Sequence, residues 1–353
     1  MQQSAEYEIR DYLSEDESPV LDLVQQGMGS GPAGIRDKSF WRWKHFNNPF
    51  GHSIALVATN REGQIIGLRT FMRWRFSSGD TLVKAVRAVD TVTHPDYRGH
   101  GVFSTLTRKA VEQSKNSEIA LIFGTPNTQV LPIYLKLGWD LVPVIRPLVK
   151  ILNYPRFVTS IPRILQNLTK SRTSGYLSPE RILRQELPSV SEFLRLSGVV
   201  EQLLFSHSQT RNEYLSTDYS IDYLQWRYSE YPSAKYLVYY REKRGALLGC
   251  VILRPSTRFN LKEVVLDDMF FSEPDEGLVS SLLDEAERYL NADYIIAYFP
   301  ESSFEHHILR RNGFHQIPIK GMDFIVNVLA SNMPCDPKVM ESWNINLGDL
   351  EVF

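Results

Sequence analysis

The stretch from Val89 to Ser104 reads Val-Asp-Thr-Val-Thr-His-Pro-Asp-Tyr-Arg-Gly-His-Gly-Val-Phe-Ser, and its order suits the gripping of an anion. An alternating apolar run leads into a turn, and helix periodicity begins directly after it. Gly99 and Gly101 leave the main chain unshielded on either side of His100. The N–H groups of Val102, Phe103 and Ser104 then open a helix. They have no carbonyl partners within it and carry the positive end of its dipole. Such a turn can hold a diphosphate through backbone donors, and Arg98 adds a charged donor at its mouth. Taken alone, the pattern reads better as a plain glycine turn before a capped helix. The dinucleotide fingerprint lacks its third glycine, because Ser104 stands there, and no Gly-Lys-Ser/Thr is present.

The neighbours decide between these readings. Downstream come Phe123-Gly-Thr-Pro-Asn127 and Tyr134-Leu-Lys-Leu-Gly-Trp139. With them the sequence resembles the GNAT superfamily of acyl-CoA-dependent N-acyltransferases. Its pyrophosphate loop reads Arg/Gln-x-x-Gly-x-Gly/Ala, and a downstream Asn precedes Tyr-x-x-x-Gly-Phe/Trp. Arg98 and Gly101 match, as do Asn127, Tyr134, Gly138 and Trp139, whereas Phe103 stands where the pattern has a small residue. The motif resemblance covers about Leu82 to Val144, and the order of elements extends it back to Tyr7.

The resemblance implies acetyl-CoA as co-substrate and direct transfer of an acyl group to a primary amine, with no metal. Most of an alkyl amine is protonated at neutral pH, so a base, or water leading to one, is useful. Asp90 on the strand before the turn is the first candidate. His94, His45, His52 and the free C-terminal carboxylate of Phe353 are others, the last because some tandem members of the family place their terminus in the acceptor site. Tyr134 is the candidate acid for the departing thiolate. A helix tyrosine packed on a sheet is its bland reading. Backbone N–H groups near Val92 or Thr93 would polarise the thioester carbonyl and pair with the pantetheine amides, and Asn127 would do so from the facing strand.

These residues need elements to hold them. Tyr7–Tyr12, Ile54–Thr59, Gln64–Phe71, Leu82–Thr93 and Ile119–Phe123 read as strands. A further strand, about Leu141–Leu152, closes the unit. Helices are expected near Leu21, after Ser39 as cap, over Val102–Ser114 and over Gln129–Leu137, with a glycine-rich loop at Gly27–Gly34.

The second half repeats this order. Trp43 with Pro49 becomes Trp226 with Pro232, and Ile54–Gly67 answers Tyr236–Gly249. Asp90 and Pro95 find counterparts near Asp268 and Pro274, and Gly138-Trp139 in Gly313-Phe314. In the second copy the cofactor turn becomes Glu273-Pro-Asp-Glu-Gly277 and Leu309 takes the place of Tyr134. Carboxylates there repel a diphosphate, so this copy is expected not to bind CoA and to serve structure, substrate recognition or dimerisation.

The fold class expected is α/β (α+β in some schemes). Residues 1–150 and 181–330 would each form a GNAT-like domain, a mixed, mostly antiparallel sheet flanked by helices. A basic linker (151–180) and a tail (331–353), read as an edge strand or frayed end, complete the chain. The stretch Arg146–Pro179 carries Arg146, Lys150, Arg156, Arg163, Lys170 and Arg172 without an acid, and is read as a connector packed on its own domain. Trp41, Trp43, Trp74 and Trp226 read as core, with stacking on a sugar or aromatic acceptor as the alternative. His306-His307 lacks the further ligands of a metal site.

Composition sets the outer limits. The 353 residues carry 39 Lys plus Arg and 41 Asp plus Glu, a balance that speaks against a nucleic-acid partner. Two cysteines make no disulfide framework and fit a reducing cytoplasm. No apolar run is long enough for stable membrane insertion, and no signal peptide is visible. The acceptor is read as a small-molecule, amino-sugar or peptide amine. A non-catalytic acyl-CoA-binding protein, a glycan-acylating enzyme at a membrane surface and an aminoacyl-tRNA-dependent transferase are the rivals. Oligomeric state is open, a homodimer included.

Overall fold

Two long hairpins, one in each half of the chain, seed two sheets. The computed structural model describes residues 7–28, 37–167, 174–317 and 321–350. The first half runs β1 (Tyr7–Asp11), α1 (Glu17–Met28), α2 (Lys38–His45), β2 (Ile54–Asn60), β3 (Ile65–Ser78), β4 (Thr81–Thr93), α3 (Val102–Asn116), β5 (Leu121–Gly124), α4 (Leu131–Lys136) and β6 (Asp140–Ile145). A middle stretch holds β7 (Pro147–Ile151), α5 (Tyr154–Asn167), β8 (Ser174–Tyr176), α6 (Val190–Phe193), α7 (Ser197–Gln209), β9 (Leu215–Thr217) and α8 (Ile221–Leu224), which runs into a π-turn at Gln225–Ser229. The second half follows with β10 (Leu237–Lys243), β11 (Ala246–Arg258), β12 (Leu261–Phe271), α9 (Glu276–Arg288), β13 (Tyr294–Tyr298), α10 (Phe304–Arg311), β14 (His315–Gln316), β15 (Met322–Val328), β16 (Trp343–Asn344) and α11 (Leu347–Leu350).

The sheets share one plan. The first has the main order β1-β2-β3-β4-β5-β15-β6, antiparallel except for parallel β4 and β5, with β9 added antiparallel to β3 and β16 parallel to β9. The second has the order β10-β11-β12-β13-β7-β14, antiparallel except for parallel β12 and β13. Each is a meander, a helical crossover and a parallel strand, the mixed α/β layout expected. The strand pairing departs from the sequence reading. The apolar run 141–152 is two strands, broken at Arg146, and β7 crosses into the second sheet between β13 and β14. In return β15 crosses into the first sheet between β5 and β6. A cut at residue 150 therefore runs through a strand of the second sheet, and residues 322–328 complete the first. Neither sheet is whole without a strand from the other half.

Packing obeys the same pseudo-symmetry. A Cβ on Gly67 would stand 2.7 Å from Val102 Cγ1, so this glycine lets α3 lie close over β3. Its counterpart Gly249 lies 3.4 Å, by the same measure, from Leu282 on α9. Trp43 and Trp226 stack at 5.0 Å and 14° across the junction of the units. Each indole N–H donates to the other's backbone carbonyl, at 2.7 and 2.8 Å. Trp41 and Trp74 are buried as well, which favours the core reading of all four over stacking on a ligand. The cap of α2 is Asp37, which accepts from Phe40 N–H at 2.8 Å, and not Ser39: only from that place does the side chain reach the N–H three residues on. The linker helix α5 packs Phe157 and Ile164 on the second sheet, while Arg156 pairs with Asp293. Among the described residues no helix is long and apolar enough to cross a membrane.

The tail is not frayed through Leu350: Trp343–Asn344 forms the edge strand β16, paired among the described residues with β9 alone, and α11 follows it. Trp343, Ile345, Leu347 and Leu350 are buried between the units, because their apolar area finds cover there. Phe353 lies outside the described residues. With the tail go polar groups. Arg87 donates to the carbonyls of Asp349 and Leu350, and Arg227 to that of Gly348. Thr217 and the Asn346 N–H donate to Asp349, and Tyr228 and Asn346 Nδ2 to Asp268. Burial and the neighbouring Asp349 hold the Asp268 carboxyl far above the usual range, and burial pushes Asp349 up to about 6.

An acid with a raised native pKa keeps its proton where the unfolded chain has lost it. Its contribution to stability therefore falls as the pH rises from about 4 through about 6, and stays low above that. An amide in its place can still donate to Thr217 Oγ1 and accept from Asn346. Asp349→Asn is therefore expected to gain on the wild type by about 1 kcal/mol more at pH 8 than at pH 5, in urea denaturation. An equal difference at both pH values would show that Asp349 does not titrate in this window.

Candidate active site

The first sheet opens where β4 and β5 part. Their parallel pairing covers Ala85–Arg87 against Leu121–Phe123, and β4 then continues to Thr93 on β3 alone. A bulge opposite Arg69 and Thr70 puts Asp90 at φ 33°, a left-handed geometry costly for a non-glycine residue. The bend turns the end of β4 away from β5. His94 N–H donates back to Ile66 O at 2.8 Å, so by strand alternation the Thr93 N–H faces the opening.

The glycine bend lies at the open end of this gap. Gly99 and Gly101 sit at φ 83° and 79°, which is why glycine stands at both. Arg98, Gly99, His100 and Gly101 are exposed. A Cβ on Gly99 would meet nothing within 4 Å, and one on Gly101 only Tyr7 Oη at 3.9 Å, so the bend is not filled by its own chain. Gly101 is the N-cap of α3 and supplies no side-chain cap, which leaves the N–H groups of Val102, Phe103 and Ser104 available to an anion. Arg98 Nε reaches Thr93 O at 3.4 Å and holds the mouth to the strand end.

Tyr134 on α4 is buried beside this turn, with the Phe103 ring edge-on at 5.5 Å and Trp139 at 4.6 Å. Arg69 Nη1 donates to its hydroxyl at 2.6 Å. Asn127 is on the loop after β5 and not on the strand. Its side-chain oxygen accepts from the N–H groups of Gln129 and Val130 at 3.0 and 3.1 Å, so it shapes the entry to α4.

The opposite face of β4 carries Asp90, which is buried. Lys44 Nζ lies 2.6 Å and His45 Nε2 3.2 Å from its Oδ2. His45 Nδ1 meets Ser53 Oγ at 2.9 Å, so a chain of polar groups leads from Asp90 to half-buried Ser53. Val92 also points to this face, into the cluster of Val20, Leu23 and Trp41. Two other histidines of the sequence reading stand apart. His94 accepts from Asp96 N–H at 3.4 Å, and His52 is exposed with its carbonyl on Arg73. Arg87 reaches Thr125 at 3.2 Å, which brings the tail beside the gap between β4 and β5. Burial, with Arg227 nearby, pushes Arg87 down to about 10, so it remains a cation at neutral pH.

Lys44, Ser53, Arg69 and Arg87 escaped the sequence reading. Arg69 did leave a signal. It stands between Gly67 and Phe71 at alternate positions of β3, on the face turned to the core, within a stretch (Ile65–Met72) that is otherwise apolar but for Thr70.

In the second unit the equivalent openings are closed. Asp275 caps α9, accepting from Leu278 N–H at 2.6 Å where Gly101 leaves α3 uncapped. Ser272 N–H donates to Leu248 O, as His94 does to Ile66 O, so Phe271 stands where Thr93 does. Its outward N–H is taken by His207 Nδ1 at 3.2 Å. Burial and Arg211 keep that imidazole neutral by holding its pKa well below the usual value.

Residues 8–142 match the family model described as an acetyltransferase (GNAT) domain. No curated protein matches the sequence. Among solved structures, a conserved protein of unknown function from Enterococcus faecalis V583, called a probable N-acyltransferase, is similar with TM-score 0.62 and 11% identity, over 92% of this chain and 72% of that one. A GCN5-related N-acetyltransferase from Anabaena variabilis ATCC 29413 gives TM-score 0.60 at 12% identity, over 92% and 73%. Another from Kribbella flavida gives 0.55 at 14%, over 92% and 72%. At such identities the likeness is one of fold, and the domain match adds the acyltransferase assignment. Residues 8–142 are thus assigned to the acetyltransferase (GNAT) domain family.

Proposed function

We propose that the first unit transfers an acetyl group from acetyl-CoA to a primary amine by direct attack. The carrying observation is the exposed glycine bend at an uncapped helix start, set beside buried Tyr134 at the mouth of a parted strand pair. In this reading the N–H groups of residues 102–104 and Arg98 take the diphosphate, and the Thr93 N–H takes the thioester carbonyl. The amine nitrogen attacks that carbonyl. A C–N bond forms, the C–S bond breaks, and Tyr134 gives its proton to the sulfur. The amine proton leaves toward Asp90, from which His45 and Ser53 lead outward.

The acceptor is taken to be a small molecule, an amino sugar or a peptide terminus, and the setting the cytoplasm, in keeping with the free thiols Cys250 and Cys335. The second unit, in this reading, binds no CoA and serves structure: it lends β15 and the tail to the first. Its capped α9 and the His207 bond support this.

The test is acetyl-CoA titration by calorimetry, followed by thioester consumption with a panel of spermidine, glucosamine and a short peptide. Binding without turnover on a broad amine panel would favour the non-catalytic reading. Tyr134→Phe is expected to lower kcat about a hundredfold or more, while the acetyl-CoA Kd stays within about threefold. Unchanged turnover would remove Tyr134 as the acid.

A further inference from the structure

Resting on the acetyl-transfer reading, we infer that Arg69 is the positioning residue that aims and electrostatically supports the Tyr134 hydroxyl. Arg69 is 0% exposed. Its guanidinium carbon lies 4.5 Å from the centre of the Phe71 ring, 5.4 Å from Tyr134 and 5.8 Å from Phe103. Nη1 donates to Tyr134 Oη at 2.6 Å. Among the described residues, Nε and Nη2 have no hydrogen-bond partner. Ring faces offset part of the cost of enclosing the charge, but unmet buried donors remain expensive. An apolar side chain would pack this strand position more cheaply. The arginine is thus retained for its bond to Tyr134.

That bond has a chemical consequence. A guanidinium only donates, so the phenol oxygen acts as acceptor toward it and its own proton must go to another partner. With β3 on one side and Phe103 edge-on, the hydroxyl is fixed in one orientation beside the gap. When the C–S bond breaks, the proton passes from Oη to sulfur and the electron pair stays on Oη. The Arg69 charge already stands 2.6 Å from that oxygen and needs no rearrangement to meet it. Solvent restores the proton after the thiol departs. Phe103, the departure from the family pattern, finds its reason here: its ring walls both Tyr134 and the guanidinium.

The test is a double-mutant cycle with two readouts. Arg69→Met is expected to lower kcat about ten- to a hundredfold, with KM for acetyl-CoA within about threefold, and Arg69→Lys to regain part of the loss. On a Tyr134→Phe background Arg69→Met should cost less than about threefold, because the residue acts through the hydroxyl. Equal losses on both backgrounds overturn the inference. The second readout needs no turnover. With tyrosine labelled with carbon-13 at Cζ, the Tyr134 signal, assigned by its loss in Tyr134→Phe, is expected to move in Arg69→Met. A wild type inactive on every amine would refute the acetyl-transfer reading, and the positioning role with it, while the Cζ signal still reports the contact. An unmoved signal overturns the inference even in an active enzyme.

Discussion

Arg98→Glu combined with Gly101→Glu is expected to abolish acetyl-CoA binding in calorimetry while the thermal midpoint falls by only a few degrees. The two effects differ because, in the proposed reading, the bend holds the diphosphate and carries little of the packing. Arg98 is exposed, and among the described residues its side chain makes only the long contact to Thr93 O. Replacing it removes a cation and adds an anion facing the diphosphate. At Gly101 a glutamate would reach the N–H groups of the first turn and cap α3 from within, as Asp275 caps α9. Repulsion and lost donors together should reach about 3 kcal/mol, or at least a hundredfold in Kd. The structural cost is the left-handed backbone at φ 79°, about 1 kcal/mol for a residue with a Cβ, since the added carbon would meet only Tyr7 Oη at 3.9 Å. For a unit of this size that is about 2–4 °C. Binding at wild-type strength would remove the loop assignment and the functional proposal with it.

The bend was legible in the sequence because its chemistry is local. Two glycines, an arginine and a helix start are neighbours in the chain, and a backbone site needs nothing else. The strands around it were legible for the same reason, through period-two alternation and the Asn60–Gly63 turn. The duplication was legible in Trp43 and Trp226, although their mutual stacking was not. What stayed hidden depends on partners far apart in sequence. Nothing near Pro147 says that β7 joins the second sheet, since its alternation fits either neighbour equally well. Nothing along the aromatic helix marks Lys44 until Asp90, on β4, is brought against it. The tail reads as frayed because its apolar residues find cover only when both units are present.

Lys44→Met should be among the most destabilising single changes in the first unit, and the pair it breaks also separates folding from catalysis. Lys44 and Asp90 have side-chain exposures of 2% and 5%, with Nζ 2.6 Å from Oδ2. Solvent therefore neither screens the pair nor rescues a lone partner. Removing the cation takes the nearest opposite charge from a buried carboxylate, at a cost of about 3–5 kcal/mol. That corresponds to a fall of about 10 °C in the midpoint. Removing both charges is a different matter, since a buried pair replaced by apolar groups of like volume is often neutral. Lys44→Met with Asp90→Leu should therefore regain most of the urea stability lost by Lys44→Met alone. If Asp90 takes the amine proton, the restored protein will bind acetyl-CoA and turn it over poorly. Recovery of both stability and turnover would assign Asp90 to the fold and move the base elsewhere. A loss below about 1 kcal/mol in the single variant would mean that the pair is reached by water.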